Sequence, residues 1–272
     1  MNSRDRILKD KKNNREILCY EQVDICYGEK QIIRDCSFSV QSGEILGIVG
    51  ESGSGKSTLI RAAMGLLGNT GVVTRGDIWY QGKDLPDLSE KEMRKLCGPE
   101  LAYIFQEAGS SFCPIRTILD QMYESVKEHQ KTTKAQVRDQ AEELLSRFGF
   151  QDPGRILKSY PFELSGGMKQ RVGIAAAMLL NPKVLFADEP TSALDVTTQK
   201  QVVEEMLMVR ETFGTSILLV THNIGVVRAT ADQMLVLKDG KRVEYGATGD
   251  ILENPQSEYT KKLLSAVPVL RR

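Results

Sequence analysis

The sequence predicts an α/β fold built on a parallel sheet, and three observations carry that reading. The apolar run Ile45–Val49 ends in Gly50-Glu51-Ser52-Gly53-Ser54-Gly55-Lys56-Ser57-Thr58, and a helical pattern, Lys56–Leu67, begins inside that stretch. A second apolar strand, Val184–Ala187, delivers Asp188-Glu189 at its C-terminal end. Beyond residue 165 strands alternate with helices, an order that fits parallel strands with helices on both faces.

Taken in order, residues 1–16 are polar and charged and read as a flexible tail. Leu18–Tyr27 and Ile32–Val40 read as strands separated by Gly28-Glu29, and Ser42-Gly43 turns the chain into Ile45–Val49. Asp77–Tyr80, ending at Gln81-Gly82, and Leu101–Phe105 read as two more strands. From about 107 to 165 the pattern turns helical. Thr133 with Gln136 three residues on forms a capping box. Val137, Ala141, Leu144, Leu145 and Phe148 then share one helical face, read as ordinary core, and Gly149 suits the stop. A helix to Leu180, the strand Val184–Ala187, a helix over about 197–213 closed by Gly214 and the strand Ser216–Val220 follow. Gln233–Lys238 and Arg242–Tyr245 flank Asp239-Gly240, a hairpin turn.

Composition narrows the function classes. The 272 residues suffice for one large domain with a small appendage, and 41% hydrophobic with 26% charged residues is ordinary for a globular protein. The 36 basic and 36 acidic side chains cancel, so the basic footprint of a nucleic-acid binder is missing and no nucleic-acid partner is expected. The N-terminus lacks the roughly 7–15-residue apolar stretch of a secretory signal. No apolar run approaches the roughly 20 residues that cross a bilayer, so a membrane role is expected to run through a partner. Cys19, Cys26, Cys36, Cys97 and Cys113 have no Cys-x-x-Cys spacing and read as reduced thiols rather than metal ligands.

The glycine-rich stretch carries the chemistry. A triphosphate tail is held best by closely spaced backbone N–H groups, and Gly50, Gly53 and Gly55 let the chain bend into such a nest alongside Ser52 and Ser54. Lys56 is placed to reach the β- and γ-phosphates, Ser57 to offer its hydroxyl to Mg²⁺, and the helix start through Thr58 to add a favourable dipole. Asp188 would hold Mg²⁺ through its water shell, and Glu189 would orient and deprotonate the attacking water. An isolated Asp-Glu pair would be a solvated strand end; its place downstream of the glycine loop gives it meaning. Ser165-Gly166-Gly167 opens a helix and forms a second anion site. One chain has no evident need of two, so this second site is expected to face the nucleotide of another subunit.

Leu164-Ser165-Gly166-Gly167-Met168, together with the glycine loop and Asp188-Glu189, resembles the signature of ATP-binding cassette (ABC) ATPases over roughly residues 17–268. The resemblance implies a P-loop cassette with a parallel core sheet, an N-terminal antiparallel β-subdomain and a helical subdomain. The boundaries expected are a tail at 1–16, the nucleotide-binding domain at 17–254 with its helical subdomain at about 107–165, and a short C-terminal extension at 255–272. It also implies that two cassettes associate head to tail, each ATP lying between one glycine loop and the opposite signature helix. Tyr27, 23 residues before Gly50, matches the aromatic residue stacked on adenine. Gln106 matches a glutamine that touches Mg²⁺ and the attacking water, and His222 a histidine at the γ-phosphate. Asp195, in Ser192-Ala193-Leu194-Asp195, matches a loop that crosses the dimer interface.

The surroundings resemble the peptide/nickel importer subfamily: Phe105-Gln106-Glu107 with Ser110-Ser111-Phe112-Cys113-Pro114, Tyr160–Arg171, Asp188–Thr197 and Glu258–Pro268. That branch implies a second ATP-binding subunit, two transmembrane permease subunits and an extracytoplasmic solute-binding protein, with the chain peripheral on the cytoplasmic side of the cell membrane. Cys113 stands where the branch usually has Asn, and Ala108-Gly109 where it has Pro-Met. These departures bear on the groove expected to take a permease helix. A soluble ABC ATPase acting on ribosome or DNA, and the ATPase of an exporter, stay open as alternatives.

Overall fold

A computed structural model describes residues 16–266, apart from the side chains of residues 108 and 110. The expected tail lies outside the described residues except for Glu16, which is the first residue of a strand. Strands β1 (Glu16–Tyr27) and β2 (Lys30–Gln41) form an antiparallel ribbon, and β3 (Ile45–Val49) leads through the glycine loop into helix α1 (Lys56–Ala63). The sequence pattern runs α1 to Leu67; the helix stops four residues sooner because Gly65 turns left-handed (φ 65°). Next come β4 (Gly71–Tyr80), the short β5 (Lys83–Asp84), α2 (Glu90–Leu96) and β6 (Leu101–Ile104). The predicted strand Asp77–Tyr80 is only the last part of β4, which pairs with β1 from Gly71 to Tyr80.

The helical segment follows as α3 (Ala108–Ser111), α4 (Ile118–Lys127), α5 (Lys134–Arg147) and α6 (Pro153–Lys158), then α7 (Gly166–Met178). The Thr133–Gln136 box caps α5, and Val137, Ala141, Leu144, Leu145 and Phe148 are buried. The chain continues as β7 (Val184–Asp188), α8 (Val196–Phe213), β8 (Ser216–Val220), α9 (Ile224–Thr230), β9 (Gln233–Lys238), β10 (Lys241–Ala247), α10 (Thr248–Glu253) and α11 (Glu258–Ser265).

Two sheets organise these elements. The antiparallel one has the order β2-β1-β4-β5, and the larger one β10-β9-β3-β8-β7-β6. All neighbours in the larger sheet run parallel except the β9–β10 hairpin. Its central strands are buried on both faces, and the two-residue period sorts their side chains. Leu46, Ile48, Val184, Phe186, Leu218 and Val220 pack beneath the antiparallel sheet and α1. Ile45, Leu185, Ala187, Ile217 and Leu219 pack beneath the helical segment and α8. The apolar side of α11 packs through Tyr259, Leu263 and Leu264 against a third cluster around Val49 and Val236. The loops at the C-terminal ends of β3, β6, β7 and β8 therefore gather at one edge of the sheet, where α/β folds bind ligands.

Candidate nucleotide-binding site

The glycine loop is shaped by its neighbours. At Gly50 (φ 153°) a Cβ would stand 2.1 Å from the Leu237 carbonyl, so only glycine lets β3 leave the sheet here. The β9–β10 hairpin tip supports the loop from behind: Gly240 N–H donates to the Ser54 carbonyl at 3.1 Å. Helix α1 has the left-handed Gly55 (φ 100°) as N-cap and no side-chain cap. Its first intrahelical bond runs from Leu59 N–H to Gly55 O. The N–H groups of residues 55–58 thus have no intrahelical acceptor and stand at the positive end of the helix dipole.

Lys56 Nζ donates to the Gly50 and Glu51 carbonyls at 2.9 and 2.8 Å. Burial lowers its pKa, while Glu189 and Asp188 pull it back up. The next residue ties the loop to β7. Ser57 Oγ donates to Asp188 Oδ1 at 2.6 Å, across 131 residues of sequence. Asp188 is fully buried.

Glu189 leaves β7 with a left-handed backbone (φ 49°), its N–H bonded to the Val220 carbonyl. Such a conformation is uncommon for a residue with a side chain and recurs at functional sites. It brings Glu189 Oε2 to 2.8 Å from His222 Nδ1, which donates to the carboxylate. Tyr27, Lys30, Ser52, Gly53, Gly55, Lys56, Ser57, Thr58, Gln106, Glu189 and His222 line one cleft of about 710 Å³. Residues expected from five separated stretches of sequence thus meet in one place.

The signature and Asp195 sit elsewhere. Ser165 Oγ accepts from Met168 N–H at 3.2 Å and caps α7. Asp195 caps α8, accepting from the Thr198 N–H and hydroxyl, and these bonds hold its carboxyl below the usual range. A Cβ at Gly167 would lie 2.6 Å from Thr198 Cγ2, so this glycine lets the two helix starts touch. Leu164 is buried beneath them, whereas Ser165, Gly166 and Asp195 are exposed and Met168 half-buried. These residues form one surface, separate from the cleft.

Four participants have contacts that the sequence does not assign, although Arg171 and Tyr259 fall in stretches that carry the subfamily resemblance. Tyr103 and Arg61 both bond Asp188. Tyr259 of α11 accepts the Glu51 N–H at 3.1 Å, tying the C-terminal segment to the glycine loop. Arg171 of α7 bonds Glu205 and Gln201 of α8 and the Phe148 carbonyl at the end of α5, with its guanidinium 4.4 Å over the Phe150 ring. Each contact joins residues far apart in sequence. A separate cavity of about 460 Å³, lined by Phe105, Phe112, Cys113, Met122 and Ala176, lies between β6 and α4 where a permease groove was expected.

Comparison with known proteins places these features. Residues 33–192 match the ABC transporter family. The chain is 43% identical to the dipeptide transport ATP-binding protein DppD of Bacillus subtilis, over 89% of its own length and 73% of that protein. It is 44% identical to the oligopeptide transport ATP-binding protein OppD of the same organism, over 89% and 68%. A solved dimeric post-hydrolysis state of the ATP-binding cassette MJ0796 bound to ADP and Pi superposes with a TM-score of 0.75 at 27% identity, over 85% of this chain and 99% of that one. The nucleotide-type loop, the carboxylates at the end of β7 and these likenesses agree: the chain belongs to the ABC transporter family and is one of its ATPases.

Proposed function

We propose that this chain is the ATP-binding and hydrolysing subunit of an ABC importer that takes up peptides or nickel and other metal chelates. The observation that carries the reading is the single cleft that gathers the glycine loop, Gln106, Glu189 and His222. The relatives' dipeptide and oligopeptide roles support the cargo class. They also favour transport over action on a ribosome or DNA.

In this reading the residues divide the work. Tyr27 stacks on adenine. The N–H groups of residues 53–58 and Lys56 hold the phosphates; Lys56 exchanges its bonds to Gly50 and Glu51 for bonds to phosphate oxygen, a stronger, charge-assisted pair. Glu189, with His222 on one oxygen, keeps the other free to take a proton from water. The Ser57 hydroxyl and Asp188 carboxylate, 2.6 Å apart, form the hard oxygen donor set that suits Mg²⁺. Bound there, Mg²⁺ would neutralise charge on the phosphates.

Ser165, Gly166 and Asp195 lie on a surface apart from this cleft, so they serve the nucleotide of a second ATP-binding subunit. Two permease subunits, one helix of which occupies the Phe105–Phe112 cavity, and an extracytoplasmic solute-binding protein complete the assembly. Among the described residues no helix is long and apolar enough to cross a membrane, and the chain works peripherally on its cytoplasmic side.

Glu189→Gln tests the reading in the purified complex. Phosphate release is expected to fall by roughly 10²–10⁴-fold, the usual worth of a positioned base, while ATP is still bound and the closed dimer accumulates. Phosphate release at the parent rate would refute the role given to Glu189.

A further inference from the structure

The buried carboxylate of Asp188 meets three donors, and two of them stand outside the glycine loop. Ser57 Oγ reaches Oδ1 at 2.6 Å, whereas Tyr103 OH at 2.8 Å and Arg61 Nη2 at 3.3 Å both donate to Oδ2. The secondary structure makes this division. Ser57 and Arg61 lie four residues apart on α1 and so share one face. Tyr103 pairs with Phe186 across the β6–β7 ladder, two residues short of Asp188.

The direction of the phenol proton is also fixed. Arg61 Nε lies 3.4 Å from the Tyr103 oxygen, and a guanidinium can only donate. The phenol oxygen therefore accepts from Arg61, and its single proton is left for Asp188. A fully buried carboxylate needs hydrogen-bond partners on both oxygens, and these partners hold it in one orientation. Arg61 supplies the charge and Tyr103 the aim.

We propose that Tyr103 is a positioning residue for hydrolysis: with Arg61 it occupies Oδ2 of Asp188, turning Oδ1 toward Ser57 and the metal. The inference rests on the Mg²⁺-holding role proposed above for Asp188 and Ser57. Tyr103 is not among the residues that line the cleft; it acts through Asp188. Its ring also packs 4.7 Å from that of Phe105, a contact that phenylalanine would keep.

The test is Tyr103→Phe in the full chain, with Mn²⁺ binding to the ATP-loaded protein followed by electron paramagnetic resonance. Mg²⁺ titration of turnover in the assembled complex is the second readout. Mn²⁺ affinity is expected to fall about tenfold and the half-saturating Mg²⁺ concentration to rise by a similar factor, the size of one lost hydrogen bond to a charged group. ATP affinity in EDTA should hold at the parent value. Parent-like metal dependence would overturn the proposal, as would an equal loss of ATP affinity without metal. Asp188→Asn separates the two levels. If it shifts metal affinity while Tyr103→Phe does not, the positioning role alone fails; if Asp188→Asn itself leaves metal affinity untouched, the site reading fails with it.

Discussion

Helices α1 and α7 both start with a glycine-rich, polar turn, yet the chain finishes the two ends differently. Helix α1 has an uncapped glycine start, and the chain surrounds it with Asp188, Glu189 and His222 from the ends of β7 and β8. Helix α7 has its own serine cap, and a Cβ at Gly166 would meet open space. The first end is completed within the molecule; the second presents its polar groups outward. In the proposed reading this difference explains two anion-type helix starts in one chain: among the described residues, the groups assigned to the nucleotide gather around the first.

Lys56→Ala strikes the completed end. Losing charge-assisted bonds worth about 1.5–3 kcal/mol each should weaken ATP binding by roughly 10- to 100-fold. Equilibrium titration with a fluorescent ATP analogue measures this, and an unchanged affinity would remove the asymmetry between the two helix ends.

The open end is held from beneath by Arg171, and its partner Glu205 makes that support pH-dependent. Burial pushes Glu205 up to about 7, against the pull of Arg171. The folded chain thus keeps a proton that the unfolded chain has released above the ordinary glutamate range. This contribution to stability is fully present below the unfolded pKa and is lost as pH rises through about 7. Urea unfolding from pH 5 to 8 should show the loss, at most about 1.4 kcal/mol per pH unit for one proton. Glu205→Gln should flatten that slope, and an unchanged slope would assign it to other groups.

Ser165→Ala is the smallest change. Removing the cap should cost about 1 kcal/mol of stability by thermal unfolding. The informative result is a split: ATP affinity of the separate subunit holds while turnover of the assembled complex falls. Loss of affinity in the separate subunit would show that the open end serves its own chain's nucleotide.

Much of this was legible because local rules act over short stretches. The strand, glycine loop and helix at 45–63 follow from apolar content and glycine spacing, and the Thr133–Gln136 box starts α5 where expected. The same kind of box, Ser89 with Glu92 three residues on, is equally local and caps α2. Helix α11 carries a family resemblance in its sequence, but its docking depends on Val49 and Val236, both distant in sequence, and cannot be read locally.

By itself the sequence determined which groups exist for the chemistry: a nest of N–H donors, a lysine, two carboxylates, a glutamine and a histidine at recognisable spacings. Only the tertiary structure decided who meets whom. Tyr103 and Arg61 reach Asp188 across 85 and 127 residues, and Tyr259 reaches the glycine loop across 208. Such pairings are set by strand order and packing of a buried sheet rather than by local periodicity, since a side chain's face is fixed by its own strand but its partner by the neighbouring one.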